Sequence, residues 1–256
     1  MHADQSAARA RLARLQAEIS KDQSRLESAL AQDFRAKIRG DERAPWWIWP
    51  LRLLVLGLWI LVPFVILVGG SVWIYRVHAV HAWIALSLAG LVAAAVLTLF
   101  AGKISAGLTG KRRLKFVGIW LAAPSVLVYS LYVLLVLSQA NAKTDEIREY
   151  YRTVHPLLRV ALGTAILGDD EFVLTDALRA PEDYAAMGLP VLETSLHFVQ
   201  SDGYAHAVDV RTNGRSEWRN GLMSAYFRIM GFNTIRHVGT ADHLHISLSP
   251  PNDLRK

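Results

Sequence analysis

At 256 residues the chain has room for one soluble domain with further segments, but not for two large enzymatic domains. Hydrophobic residues make up 52% of it and its mean hydropathy is +0.24, which predicts membrane-spanning segments. The first 140 residues carry 16 basic and 7 acidic residues and the remainder carries 12 and 15, so the positive charge accompanies the hydrophobic part and nucleic-acid binding is not expected.

The N-terminal segment predicts an amphipathic helix from about Asp4 to Ile38, ending before Gly40. It contains no Pro or Gly, and its apolar residues recur at steps of three, four and seven. Asp22 and Asp33 interrupt the apolar seam, which weakens a coiled-coil interpretation. Two alternatives stay open: a solvated helix beside the membrane, or a helix through which the chain forms a homo-oligomer. The apolar residues are Leu12, Leu15, Ile19, Leu26 and Leu30.

Three apolar runs follow, at Trp46–Tyr75, Ala79–Ala101 and Phe116–Ser138. Each is long enough to cross a hydrocarbon layer of about 30 Å. No Asp or Glu occurs from Arg43 through Thr144, whereas a soluble helical bundle of this length rarely lacks acids. Residues 43–140 are therefore predicted to form three transmembrane helices in the lipid bilayer, after a cytoplasmic helical segment at 1–42.

The charges of the loops predict the orientation of these helices. Basic residues concentrate before the first run and between the second and third, whereas the first loop has only Arg76. The positive-inside rule then places the N-terminus and second loop in the cytoplasm and residues 141–256 outside. The spans lack the buried charges and repeated broken helices that mark transporters. The basic residues are Arg35, Lys37, Arg39, Arg43, Lys103, Lys111, Arg112, Arg113 and Lys115.

Residues 141–256 predict a small α+β domain. Its helices are expected in 142–166, with a break at Pro156, and from Ser216 to Met230. Four short strands are expected, and their sheet is predicted to be antiparallel. They are 171–175, 206–211, 232–238 and 243–249.

Strand parity groups three metal-binding side chains. Alternation puts His243 and His245 on one face of the last strand and its leucines on the other. Asp209 shares its face with small residues that leave room for an ion, whereas His206 points to the opposite face. Since the chain has no cysteine, any zinc would have to be bound by His and Asp or Glu.

The pattern Ser195-x-His197, Ala207-x-Asp209 and Asp242-His243-x-His245 resembles the zinc site of the lysostaphin, D-Ala-D-Ala metallopeptidase and hedgehog group. It is most similar to the branch of D-Ala-D-Ala carboxypeptidases and L,D-endopeptidases, over residues 171–249. The resemblance implies a Zn²⁺ ion bound by His197, Asp209 and His245. It also implies a catalytic acid/base at Asp242 or a catalytic histidine at His243, an arginine acting on substrate at Arg179, and a substrate contact at Ser195. His155 and His237 are expected to be structural or surface residues.

One departure concerns the first two ligands. The family spaces them seven positions apart, whereas His197 and Asp209 are twelve apart. Residues 198–204 are interpreted as a loop insertion, and Ala205 stands where the family has glycine. A longer loop between fixed ends costs little entropy, so both ligands can keep their places.

The expected function is that of a membrane-anchored zinc peptidase in the cytoplasmic membrane of a bacterium. Its extracytoplasmic domain would cleave stem peptides of peptidoglycan. The alternative is a non-catalytic, zinc-dependent cell-wall-binding or scaffold protein. The sequence leaves open which bond is cleaved, whether the enzyme is a carboxypeptidase or an endopeptidase, and whether Asp242 or His243 is the principal base.

Overall fold

The computed structural model describes residues 19–32, 48–186, 188, 190, 193–239 and 242–251. The chain packs as two compact units, Met1–Gly57 and Leu58–Lys256. Residues 19–32 form a helix (α1), which agrees with part of the predicted helix 4–38. The rest of that helix, Gly40 and the basic residues at 35–43 lie outside the described residues. Ile19, Leu26 and Leu30 of α1 are exposed.

Three further helices are long and apolar enough to cross a membrane, as the sequence predicts. They are α2 (Ile48–His78), α3 (Ala82–Thr109) and α4 (Leu114–Leu135). Wide π-helical turns interrupt α2 at Ile66–Gly70 and α4 at Gly118–Ala122. The second of these lies just before Pro124, whose ring would clash with a carbonyl one turn earlier in a regular α-helix.

The C-terminal part of the chain packs against one end of α2–α4. The ring of Tyr75, near the end of α2, lies 5.1 Å from that of His155. At the end of α4, the Tyr151 hydroxyl donates to the carbonyl of Val133 at 2.7 Å, and Arg159 donates to that of Leu134 at 2.7 Å. The basic loop of residues 111–113 joins the other ends of α3 and α4. That loop is therefore at the opposite end of the spans from the C-terminal part.

Among its described residues, this C-terminal part contains four α-helices and a four-stranded sheet. The helices are α5 (Asp145–Tyr150), α6 (Pro156–Gly168), α7 (Pro181–Ala186) and α8 (Glu217–Ile229). The strands are β1 (Leu174–Asp176), β2 (Ala207–Arg211), β3 (Asn233–His237) and β4 (His243–Ser247). They pair antiparallel in the order β1-β2-β4-β3. The α+β prediction and the antiparallel sheet are confirmed.

The break expected at Pro156 is present. The chain leaves α5 through a short 3₁₀ turn at Tyr151–Thr153, and α6 begins at Pro156 with the His155 side chain as its N-cap. Strand β1 is shorter than predicted and begins at Leu174 rather than at 171. Glu171, which precedes this strand, lies outside the sheet and forms an ion pair with Arg219 at 2.7 Å.

A close contact joins α6 to α4 within a single hydrophobic core. Only one 3₁₀ turn, Gln139–Asn141, stands between α4 and the start of α5. A Cβ atom placed on Gly163 would lie 2.5 Å from Cβ of Val133 and 3.2 Å from its Cα. Glycine is therefore required where α6 crosses α4, because the Cβ and Cα atoms of Val133 are fixed by the backbone and cannot rotate away.

This contact predicts that Gly163→Ala destabilises the protein by about 1–3 kcal/mol, the usual cost of overpacking a core. The matched control is Gly221→Ala in α8, where an added Cβ meets nothing within 4 Å. That change should leave stability equal or up to about 1 kcal/mol higher, since Ala favours helix. Thermal unfolding of both variants in detergent compares them. Equal stability of the two variants would contradict the packing described for α6.

Candidate metal centre

The sheet brings two of the three predicted ligands face to face. Asp209 on β2 and His245 on β4 are directly paired residues of neighbouring antiparallel strands. Their side chains point to the same side because paired residues share a face of the sheet. The opposite face carries Val208, Val210 and Leu244, all buried in the core. Strand parity thus fixes which side chains can meet, as the sequence predicts.

The third predicted ligand, His197, reaches this face from the loop before β2. Two backbone hydrogen bonds hold that loop: His206 N–H donates to the Leu196 carbonyl at 2.8 Å, and Arg179 N–H donates to the His197 carbonyl at 3.2 Å. The Ser195 hydroxyl accepts from the His197 N–H and lies 2.7 Å from the Tyr184 hydroxyl. Ser195 is buried, so its contacts support the ligand loop.

The three ligand atoms are spaced as the vertices of one face of a tetrahedron. His245 Nδ1 lies 2.9 Å from Asp209 Oδ1 and 3.2 Å from His197 Nε2, and His197 Nε2 lies 3.4 Å from Asp209 Oδ1. Zinc bonds of about 2.0–2.1 Å to N and O ligands require separations of about 3.3 Å in a tetrahedron. These three residues could therefore hold a metal ion, and their spacing is compatible with tetrahedral zinc.

Asp209 is nearly fully buried and is the most heavily bonded member of this group. Burial alone would raise the pKa of its carboxyl. The hydrogen bonds from His197 and His245, together with the charge of Arg179, outweigh burial and hold that pKa well below its usual range. The side chain is thus a carboxylate at any physiological pH, the form that binds a metal ion.

Arg179 lies beside the ligand carboxylate. Its Nη2 donates to Asp209 Oδ2 at 2.6 Å and its Nε donates to Asp176 Oδ2 at 2.5 Å. Oδ2 of Asp209 is the oxygen that faces away from the two ligand histidines, so Arg179 leaves Oδ1 for the metal. Second partners of this kind orient ligands and tune the bound ion. Arg179 lies in the site, as predicted, and its contacts in this structure are with protein carboxylates.

Asp242 precedes β4, and both oxygens of its carboxylate accept hydrogen bonds from protein groups. Arg236 donates to both, with Nε 2.6 Å from Oδ1 and Nη2 2.7 Å from Oδ2. The Thr212 hydroxyl donates to Oδ1 at 2.7 Å. These bonds lower the pKa of Asp242 to about 2. A carboxylate held this way is a weak base, because protonation would break the bidentate pair. The sequence did not identify Arg236, because no motif links it to Asp242, six residues later.

His243 lies nearer to the ligands. Its Nε2 is 3.7 Å from Asp209 Oδ2, and its ring stacks on that of His237, the paired residue on β3, with centroids 4.7 Å apart. A quarter of the His243 side chain is exposed. His237 was expected to be a structural or surface residue, and its contact with His243 was not predicted. Two imidazoles thus stand beside the candidate metal position on the solvent side of the sheet.

The three ligands line a cleft of about 920 Å³. Lys143 and Arg211 add positive charge to its wall, and Ile235 of the edge strand adds apolar surface. An elongated substrate that carries a carboxylate suits such a cleft, since the basic groups can pair with the anion while the sheet edge holds the chain.

A second group of two histidines and an acid involves the segment of residues 198–204. Asp202 Oδ2 lies 2.8 Å from His206 Nε2 and 3.7 Å from His155 Nε2. His206 points away from the three candidate ligands, as parity predicts, and its Nδ1 donates to the Leu248 carbonyl at 3.2 Å. We call this group the clasp: His155, Asp202 and His206. The contact between Asp202 and His206 joins residues 198–204 to the core.

The tautomer of His155 argues against a second metal site in the clasp. Nδ1 of His155 accepts the N–H of Leu157, so in the neutral ring Nε2 carries the proton and has no lone pair for a metal. The pKa of His155 is lowered to about 2, chiefly by burial and then by His206. The neutral form is therefore the one present near pH 7.

Comparisons with known proteins add nothing to this geometry. No family model, no curated protein and no solved structure matches the chain. The resemblance to the lysostaphin group therefore rests on the motif residues alone.

The ligand geometry predicts that the purified chain binds about one equivalent of Zn²⁺. His245→Ala should weaken binding by more than about 100-fold, since it removes a direct ligand. Asp202→Asn, which disturbs only the clasp, should keep the stoichiometry. Metal analysis after dialysis measures all three proteins. Two equivalents in the wild type, falling to one in Asp202→Asn, would contradict the clasp interpretation.

The buried His155 predicts acid sensitivity. Its pKa is about 6.5 when unfolded and about 2 when folded, so its contribution to stability is complete above pH 6.5 and is lost as pH falls. Between pH 6.5 and 5 the loss is about 2 kcal/mol. His155→Asn keeps an acceptor for Leu157 N–H but cannot titrate. Unfolding free energies measured across this range should fall less steeply in the variant, and equal slopes would refute the assignment.

Proposed function

We propose that this protein is a zinc-dependent hydrolase of peptide bonds, anchored in the cytoplasmic membrane of a bacterium. The observation that carries the proposal is the tetrahedral spacing of His197, Asp209 and His245 at the base of an open cleft. Two further imidazoles beside that position supply groups for proton transfer. The motif similarity to D-Ala-D-Ala carboxypeptidases and L,D-endopeptidases points to peptides as the substrate class.

His243 is the residue best placed to move a proton. When bound, Zn²⁺ lowers the pKa of a coordinated water to about 7 and polarises a substrate carbonyl. The His243 ring, 3.7 Å from the ligand carboxylate, can accept a proton at that position and return it to a leaving amine. His237, stacked on it, orients the ring. Asp242 acts as a positioning residue, since Arg236 and Thr212 occupy its oxygens.

The remaining site residues bind and orient. Arg179 holds Asp209 through Oδ2 and so fixes the ligand oxygen Oδ1. Ser195 holds the backbone of His197, which makes it a support for the ligand more than a direct substrate contact. Lys143 and Arg211 line the cleft where the carboxylate of a peptide can pair with them.

Peptidoglycan stem peptides are the substrates that match this site and its placement. The C-terminal part contacts the ends of the apolar helices that lie away from the basic loop at 111–113. By the positive-inside rule that loop is cytoplasmic, so the site faces the outer side, where peptidoglycan is found. Hydrolysis of these peptides, by carboxypeptidase or endopeptidase action, is the proposed reaction.

One observation favours a second candidate, a zinc-dependent protein that binds cell-wall peptides without cleaving them. The residue at the family's acid/base position, Asp242, is engaged by Arg236. If His243 does not replace it, the centre binds substrate but lacks a proton acceptor.

The two candidates are separated by kinetics of the full chain with muropeptides as substrates. Zinc-loaded wild type should cleave them, and His243→Ala should lower kcat/KM by about 10²–10⁴ while retaining zinc, as expected for loss of a general base. Asp242→Asn, the comparison variant, should lower it by about tenfold or less. A larger loss in Asp242→Asn than in His243→Ala would assign the base to Asp242, and no cleavage by zinc-loaded wild type would favour the binding protein.

A further inference from the structure

Helix α8 exposes an apolar stripe on the side away from the core. Trp218, Leu222 and Ile229 are 65%, 60% and 75% exposed, and Ala225 between them is exposed as well. Their spacing of four, three and four residues places them on one face of the helix. The opposite face of the helix is buried through Met223 and Phe227. The exposed stripe is therefore not needed to pack the helix against the core.

The C-terminal end of α8 contacts the first apolar helix, α2. A Cβ on Gly69 would lie 3.4 Å from Sδ of Met230, and Arg76 of α2 donates to the Gly231 carbonyl at 2.9 Å. Gly69 comes four residues before Trp73, an exposed aromatic residue of the kind found at membrane interfaces. At 1.5 Å per residue the contact is about 6 Å deeper than Trp73 along α2.

Charged residues mark the polar limit at the other end of α8. Arg219 lies 2.7 Å from Glu171 and 3.5 Å from Asp170, which is 88% exposed. These paired charges require water or lipid headgroups around them. The helix thus has a polar N-terminal end and a C-terminal end that reaches the apolar helices.

We propose that α8 lies in the interface of the lipid bilayer, with Trp218, Leu222, Ala225 and Ile229 in the boundary between headgroups and acyl chains. The C-terminal end of α8 contacts α2 through the buried Met230, so the lipid around α2 at this depth also reaches the stripe. An interfacial helix of this kind buries its apolar face about 5–10 Å below the headgroups, which matches the depth of the Gly69 contact. This inference rests on the part of the proposed function in which α2–α4 span a membrane.

The absence of cysteine makes a direct test available. Single cysteines replace Leu222, Ile229, Leu91 or Asn213 in the full chain, each labelled with the fluorophore NBD. The labelled proteins are placed one per nanodisc in phosphatidylcholine and phosphatidylglycerol, with or without a lipid carrying a nitroxide quencher near the headgroup end of its acyl chain. Leu91, 69% exposed within α3, is the reference for lipid, and Asn213, exposed in the turn before α8, is the reference for water.

Labels at Leu222→Cys and Ile229→Cys should emit at shorter wavelength than the label at Asn213→Cys. The nitroxide lipid should quench them at least half as strongly as it quenches the label at Leu91→Cys. Emission and quenching like those at Asn213→Cys would overturn the proposal. An emission shift that appears only with two chains per disc, and that the nitroxide lipid does not quench, would also overturn the proposal. In that case a second copy of the chain would cover the stripe.

The controls separate this inference from its premise and from loss of folding. An unquenched label at Leu91→Cys would show that the apolar helices do not span the bilayer, which is a failure of the proposed function. Quenching there together with a water-like label at Leu222→Cys is a failure of the inference alone. The Leu222 side chain is exposed, so its replacement should leave the thermal transition unchanged, and Trp218→Cys provides an independent position on the same stripe. The assay does not depend on catalysis.

Discussion

The candidate centre depends on one buried carboxylate. Asp209 lies in the middle of the sheet, where the charge of an acid is stable only if its oxygens are fully bonded. One oxygen faces His197 and His245, and the other is held by Arg179, with His243 nearby. Every residue assigned to ligation or proton transfer is therefore arranged around this side chain. Loss of the carboxylate would remove a ligand and leave the Arg179 charge without its closest buried partner.

Neighbouring side chains determine whether an acid can accept a proton, as the pair Asp242 and His243 illustrates. Both residues stand next to each other at the start of β4, and the motif permits either as the base. Arg236 on the neighbouring strand β3 makes the difference, because its planar guanidinium matches both oxygens of Asp242 and holds the pKa of that acid near 2. A lysine at this position would bind as a point charge and leave the carboxylate more freedom.

Local patterns predicted much of this fold. Long apolar runs without acids indicated α2–α4, and alternation on β4 placed His243 and His245 on the face opposite the core and excluded His206. The clasp was not predictable, since His155 is far in sequence from Asp202 and only tertiary packing brings them together. The same holds for the contact of Gly163 with Val133. Arg236 is only six residues from Asp242, but no motif in the sequence marks the pair. Patterns of period 2 and 3.6 report which face a residue occupies, but not which distant residue it meets.

The short connection between α4 and α5 limits where the centre can operate. Nine of the residues between Val136 and Tyr150 lie in the 3₁₀ turn Gln139–Asn141 or in α5, and Asn141 donates to the Phe172 carbonyl at 2.8 Å, so no long flexible linker precedes the C-terminal part. A flexible linker would let a catalytic domain sample a volume that grows with linker length. Here the cleft has a fixed height above the ends of α2–α4. If α2–α4 span a membrane and the substrate is a peptide, as proposed, peptides carried by molecules that diffuse within the membrane always pass at that height. Peptides in a distant polymer would come within reach only where the polymer approaches the bilayer.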